Sequence, residues 1–111
     1  MRLNQGDIIR VNFNPTIGSE QQGKRPAVII SNNFVIQNTC IILVAPVTSK
    51  QGNSALNVAL DEKTKTAGAV LCAHTRSLDL SKRPYDFIEK LPPEKLKEIL
   101  DVVVSLVEPS E

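Results

Sequence analysis

Apolar residues in this chain come in six short stretches, at 7–13, 27–31, 40–45, 56–60, 68–73 and 85–91, each closed by polar, glycine or proline residues. That punctuation constrains the fold more than anything else in the sequence. In the first stretch Ile9, Val11 and Phe13 alternate with Ile8, Arg10 and Asn12, the period of a strand with one face mostly wet. Residues 27–31 and 40–45 are apolar on both faces, as central strands are, and Pro46 marks the end of the second or a bulge in it. Leu56, Val58 and Leu60 alternate again, and 68–73 and 85–91 read as two further strands. Asn32-Asn33 starts a loop, 61–66 reads as a solvated loop, and 77–81 as a single helical turn with Ser77 as its cap. Pro92-Pro93-Glu94 then opens a helix, with proline and an acid where a first turn accepts them. Leu96, Ile99, Leu100, Val103, Leu106 and Val107 follow at helical spacing. The pattern predicts a mainly β fold: a curled antiparallel sheet or small barrel, with one C-terminal α-helix packed on a side or end.

A length of 111 residues suits a single domain over 1–111. With three Phe, one Tyr and no Trp, the core must be aliphatic. The same scarcity argues against a peptide-binding module with an aromatic groove. Net charge is +1, so any site for a polyanion must be a local cluster on a nearly neutral surface. Cys40 and Cys72 lie in apolar runs without C-x-x-C spacing, and one His cannot complete a Cys/His zinc site. They read as two buried free thiols of a reduced compartment. The N-terminus turns polar at once and no apolar run approaches membrane length, which predicts a cytoplasmic chain.

Between the first two strands lies a polar connection of about a dozen residues, where a hairpin needs two to five. It ends in Lys24-Arg25-Pro26. Pro26 holds Arg25 extended, so the guanidinium stands at the mouth of a strand, ready for an anion such as phosphate. Ser19, Glu20, Gln21 and Lys24 share the loop. Thr48-Ser49 and His74-Thr75-Arg76 form two more polar clusters, each directly after an apolar run. Each cluster alone is ordinary: strand-end cations are mostly solvated, Ser and Thr are turn residues, and a lone His is more often packing than catalyst. If the three ends converge, they make a basic, hydroxyl-rich pocket with one carboxylate. Phosphate-binding, dinucleotide and serine-hydrolase motifs are absent, and Lys82-Arg83 reads as a solvated face.

Gly6-Asp7-Ile8, Asn14-Pro15-Thr16, Gly18-Ser19-Glu20-Gln21, Arg25-Pro26-Ala27-Val28, Pro46-Val47-Thr48-Ser49 and Arg76-Ser77-Leu78-Asp79, in this order, closely resemble the MazF/PemK family of toxins. The resemblance covers nearly the whole chain. It implies an SH3-like small barrel of the CcdB/MazF type, acting as a homodimer. It also implies a sequence-specific, metal-independent endoribonuclease that needs no cofactor, cuts single-stranded RNA, and is neutralised by an antitoxin whose C-terminal segment covers the RNA site. Arg25 and Thr48 fall on the positions most tied to catalysis, and Glu20 on an acid implicated in some members. Ser19, Gln21, Lys24, Ser49, His74 and Arg76 become candidate RNA contacts. Ala73-His74 stands where many relatives carry an acid and Gln, which removes one candidate base. The alternative within the same fold is a non-enzymatic topoisomerase poison like the CcdB relatives.

Overall fold

The computed structural model describes residues 2–13, 23–50 and 54–110. Seven strands are seen: β1 (Asp7–Asn12), β2 (Lys24–Ile29), β3 (Ile41–Thr48), β4 (Asn57–Ala59), β5 (Ala69–Leu71), β6 (Arg76–Asp79) and β7 (Tyr85–Lys90). Helix α1 (Asn33–Asn38) lies between β2 and β3, and α2 (Pro93–Ser105) closes the chain. The strands pair in the order β4-β5-β3-β2-β1-β7, and β6 pairs with β3 as well. Every pairing is antiparallel. Among the described residues the sheet curls like a barrel without closing, so the mainly β architecture with a C-terminal helix stands.

β3 is the hinge of this sheet. One edge pairs with β2. The other pairs with β6 over Ile41–Val44 and then with β5 at Val47 and Thr48. Alternation gives the sheet two apolar faces. One buries Ile8, Val28, Ala45, Val47, Val58 and Val70 beneath α2, whose Ile99 is fully enclosed. Burying that isoleucine contributes roughly 2–3 kcal/mol. The other face buries Leu3, Ile9, Val11, Ala27, Ile29, Ile42, Val44 and Leu78 inside the curl. β1 therefore has no wet face: Ile8 and Asn12 are buried with Ile9 and Val11, and only Arg10 is exposed.

Asp7 anchors the start of β1. Its carboxylate is 1% exposed. It accepts from the Asn4 N–H at 2.9 Å and pairs with Lys90 at 3.2 Å, tying β1 to the end of β7. Gly6 before it has a φ of +90°, and a Cβ there would press on Leu96 of α2.

Local signals misled at further places. Residues 77–81 are not a helical turn, because 76–79 pair with the open edge of β3 and tertiary pairing overrides a weak cap. Asn32 and Asn33 do not open a loop: the Asn32 side chain accepts from the Val35 N–H at 2.9 Å and caps α1. The fold thus has a short second helix. Pro46 neither ends nor bulges β3. Odd-numbered residues of β3 turn their backbone groups to the β2 side, since the Ile30 N–H donates to the Leu43 carbonyl and the Leu43 N–H to the Ser31 hydroxyl. The N–H that Pro46 lacks would face the opposite edge, where β3 passes from β6 to β5, so little is lost. Finally, only Cys72 is buried. Cys40 is exposed, because β3 begins one residue later.

Candidate active site

Arg25 lies near the start of β2 and Thr48 at the end of β3, two neighbouring strands. Ala27 faces Pro46, Val28 faces Ala45 and Ile29 faces Val44. The same register carried two residues further sets Arg25 opposite Thr48. The Ile30–Leu43 bond makes Val28–Ala45 a hydrogen-bonded pair and Ala27–Pro46 a non-bonded one. Arg25–Thr48 then occupies a non-bonded position, where opposed side chains stand closest. Pro26 brings no N–H, and the observed pairing with β3 stops at Ala27. Arg25 and Thr48 both lie on the face that buries Ala27 and Val44, at the rim beyond the core. Arg25 is exposed and Thr48 half-buried.

The Thr48 hydroxyl accepts from the Lys50 N–H at 3.2 Å. Its own O–H can still donate to an anionic oxygen. Thr48 is register partner to Ala69 of β5. Gly68 has a φ of +118°, and a Cβ there would collide with the Thr48 carbonyl oxygen.

Arg76 starts β6, and its guanidinium lies 5.8 Å from the Phe13 ring centroid. β6 and β1 are separated in the sheet by β3 and β2, so this cation–π contact joins the two sides of the curl. It brings a second guanidinium to the same face as Arg25. Lys24 is turned by strand alternation to the opposite face, beside Asn12. Ser49 is exposed just past the end of β3. Cys72-Ala73-His74 is a 3₁₀ turn rather than a strand, which exposes His74 and buries Cys72. Burial pushes the Cys72 thiol up to about 11, and Glu98 adds to the rise. That thiol is no nucleophile. Ser19, Glu20 and Gln21 lie outside the described residues.

Sequence reasoning missed two further residues. Arg83 is not a solvated cation: its Nη1 donates to the Asn12 carbonyl at 2.7 Å, linking the β6–β7 connection to the end of β1. Glu89 gathers three donors. It accepts from the Lys65 N–H at 3.0 Å and from the N–H and hydroxyl of Thr66, both at 2.8 Å. Burial alone would raise its pKa, but these bonds outweigh it and hold the carboxyl below the usual range. The loop at 61–66 is accordingly fixed, with Thr66 buried. For Arg83 the sequence carried no signal.

Fold and rim together give a small curled antiparallel sheet with a C-terminal helix, carrying an exposed arginine and a half-buried threonine at the ends of two neighbouring strands. The chain belongs to the family of PemK-like, MazF-like toxins of type II toxin–antitoxin systems, whose family model matches residues 4–107. It is 35% identical over 103 residues to the endoribonuclease PemK of Escherichia coli, an alignment covering 88% of this chain and 77% of that relative. Among solved structures it resembles MazF of Deinococcus radiodurans, with a TM-score of 0.84, 31% identity, and coverage of 96% of this chain and 97% of that one. A MazE–MazF structure from the same organism matches with a TM-score of 0.83 and 27% identity, covering 99% of each chain. No helix among the described residues is long and apolar enough to cross a membrane.

Proposed function

We propose that this chain is a single-domain, cytoplasmic, sequence-specific endoribonuclease that cleaves single-stranded RNA without a metal ion, leaving a 2′,3′-cyclic phosphate and a 5′-hydroxyl. What supports the reading is the antiparallel pairing of β2 with β3, whose register, extended two residues beyond Ala27–Pro46, would set Arg25 opposite Thr48 on one sheet face. The name of the PemK relative supports it.

The chemistry asks for three things. A base takes the proton of the 2′-hydroxyl as its oxygen bonds to phosphorus, charge on the phosphoryl oxygens is stabilised, and the 5′-oxygen gains a proton as its bond to phosphorus breaks. Arg25 supplies charge in a planar, two-pronged geometry suited to phosphate. Thr48 donates its O–H to a phosphoryl oxygen and fixes the group in line. Glu20 is the assigned base, and Arg25 or a bound water returns the proton. Arg76, His74, Ser49, Ser19 and Gln21 are assigned to the flanking nucleotides, whose unstacked bases offer their edges, whereas Lys24, on the opposite face, is not. The topoisomerase-poison alternative gives a guanidinium–hydroxyl pair no task.

The antitoxin is assigned to the same rim, its C-terminal segment lying over the RNA site. A homodimer is assigned to the apolar groove of about 470 Å³ between β3 and α2, lined by Ile41, Leu43, Leu100, Val103 and Val104. The test is incubation of the purified protein with a long RNA in EDTA. Discrete fragments whose 5′ ends accept a kinase label directly, and whose 3′ ends need acid opening, are expected. Intact RNA, or 5′-phosphate ends, would reject the reading.

A further inference from the structure

Glu89 belongs to β7, at one end of the sheet order, while Thr48 meets β5 near the other. A short segment, residues 65–69, connects them. The Glu89 carboxylate receives both backbone N–H groups of Lys65 and Thr66 and the Thr66 hydroxyl. Thr66 is buried, and its carbonyl accepts from the Thr64 hydroxyl at 2.7 Å. Two residues on, the Gly68 carbonyl accepts from the Leu60 N–H at 2.8 Å. The bare Cα of Gly68 leaves no room for a side chain against the Thr48 carbonyl. Ala69 then pairs with Thr48. A carboxylate with three donors holds a short loop firmly. A glycine pressed on a strand's backbone transmits that position, because packed contacts do not deform continuously.

We propose that Glu89 is a positioning residue for Thr48, acting through residues 65–68 to fix where β3 ends and where the Thr48 hydroxyl points. This rests on the reading that Thr48 contacts the scissile phosphate. Glu89 itself touches no substrate. Its amide analogue retains the size but can accept at one oxygen only, so Glu89→Gln releases one side of the clamp.

The experiment compares single-turnover cleavage by the wild type, Glu89→Gln, Thr48→Ala and the double variant, made by cell-free synthesis. Affinity is read separately with an RNA carrying 2′-deoxyribose at the cleavage position. Glu89→Gln is expected to slow cleavage about tenfold while affinity stays within about twofold, the signature of misplacement rather than lost binding. In the Thr48→Ala background the same change is expected to have no effect. An equal slowing in both backgrounds, or a wild-type rate for Glu89→Gln, overturns the positioning role and leaves the role of Thr48 intact. A wild-type rate for Thr48→Ala overturns the parent reading instead. Should Thr48→Ala cleave too slowly to compare, amide hydrogen exchange decides: faster exchange at Thr48 and Ala69 in Glu89→Gln, with Val11 and Val28 unchanged, supports the inference. Unchanged exchange at Thr48 and Ala69 overturns it.

Discussion

Arg25 takes its place from its neighbour. Pro26 fixes the extended backbone before it and thins the ladder toward β3, so one proline both aims the guanidinium and opens space beside it. That much was legible in the sequence. The proposed partnership with Thr48 was not, since register between strands separated by a helix depends on side-chain packing across the sheet. Arg25→Lys keeps the charge but loses the planar fork. It is expected to cleave RNA about tenfold to a hundredfold slower, and a rate equal to wild type would remove the bidentate role. The two thiols show how burial divides chemically identical groups. Cys40 is exposed and Cys72 enclosed, with its pKa raised to about 11. Iodoacetamide at pH 8 should therefore alkylate native protein once, at Cys40, by mass spectrometry. Rapid modification at both sites would mean that Cys72 is accessible.

Elements formed where burial and pairing agreed with local pattern, and shifted where they did not. α2 was readable from its proline start and its apolar spacing, and Ile99 is its buried keystone. Ile99→Ala should cost about 2–5 kcal/mol, seen as a lower urea midpoint with an unchanged slope. β6 was unreadable because its hydrogen-bonding partner, the outer edge of β3, lies more than thirty residues earlier in the chain. The 61–66 loop looked solvated because its partner, Glu89, belongs to a later strand. The Glu89 carboxyl lies below its ordinary value of 4.5. Its contribution is therefore complete above that value and fades as pH falls through the folded one. Glu89→Gln should lower the urea midpoint at pH 7, and the gap from wild type should narrow toward pH 3. A gap that stays constant with pH would show that the clamp does not depend on charge.

Across the whole molecule, the curl places one apolar face inside and leaves part of the other uncovered. Ile41, Leu43, Val104, Leu106 and Val107 remain exposed, Val107 at 80%. Apolar residues gathered in this way mark an interaction face, and the homodimer assigned to it predicts a mass in solution near twice 12.2 kDa. Val104→Asp should shift the chain toward a monomer in light scattering, whereas a wild type already monomeric at micromolar concentration would contradict that interface. The curl also explains why the site could be named but not assembled from sequence. The strand ends carrying Arg25, Thr48 and Arg76 were recognisable one by one, but their proposed meeting on one rim depends on β3 changing partners midway. The central claim is that Arg25 and Thr48 act together on one phosphate, and single-turnover cleavage of a long RNA in EDTA tests it most directly. Arg25→Ala and Thr48→Ala should each slow cleavage about a hundredfold to a thousandfold, and the double variant should be little slower than the worse single one. Cleavage by Arg25→Ala at the wild-type rate, or fully multiplicative losses in the double variant, would contradict the account.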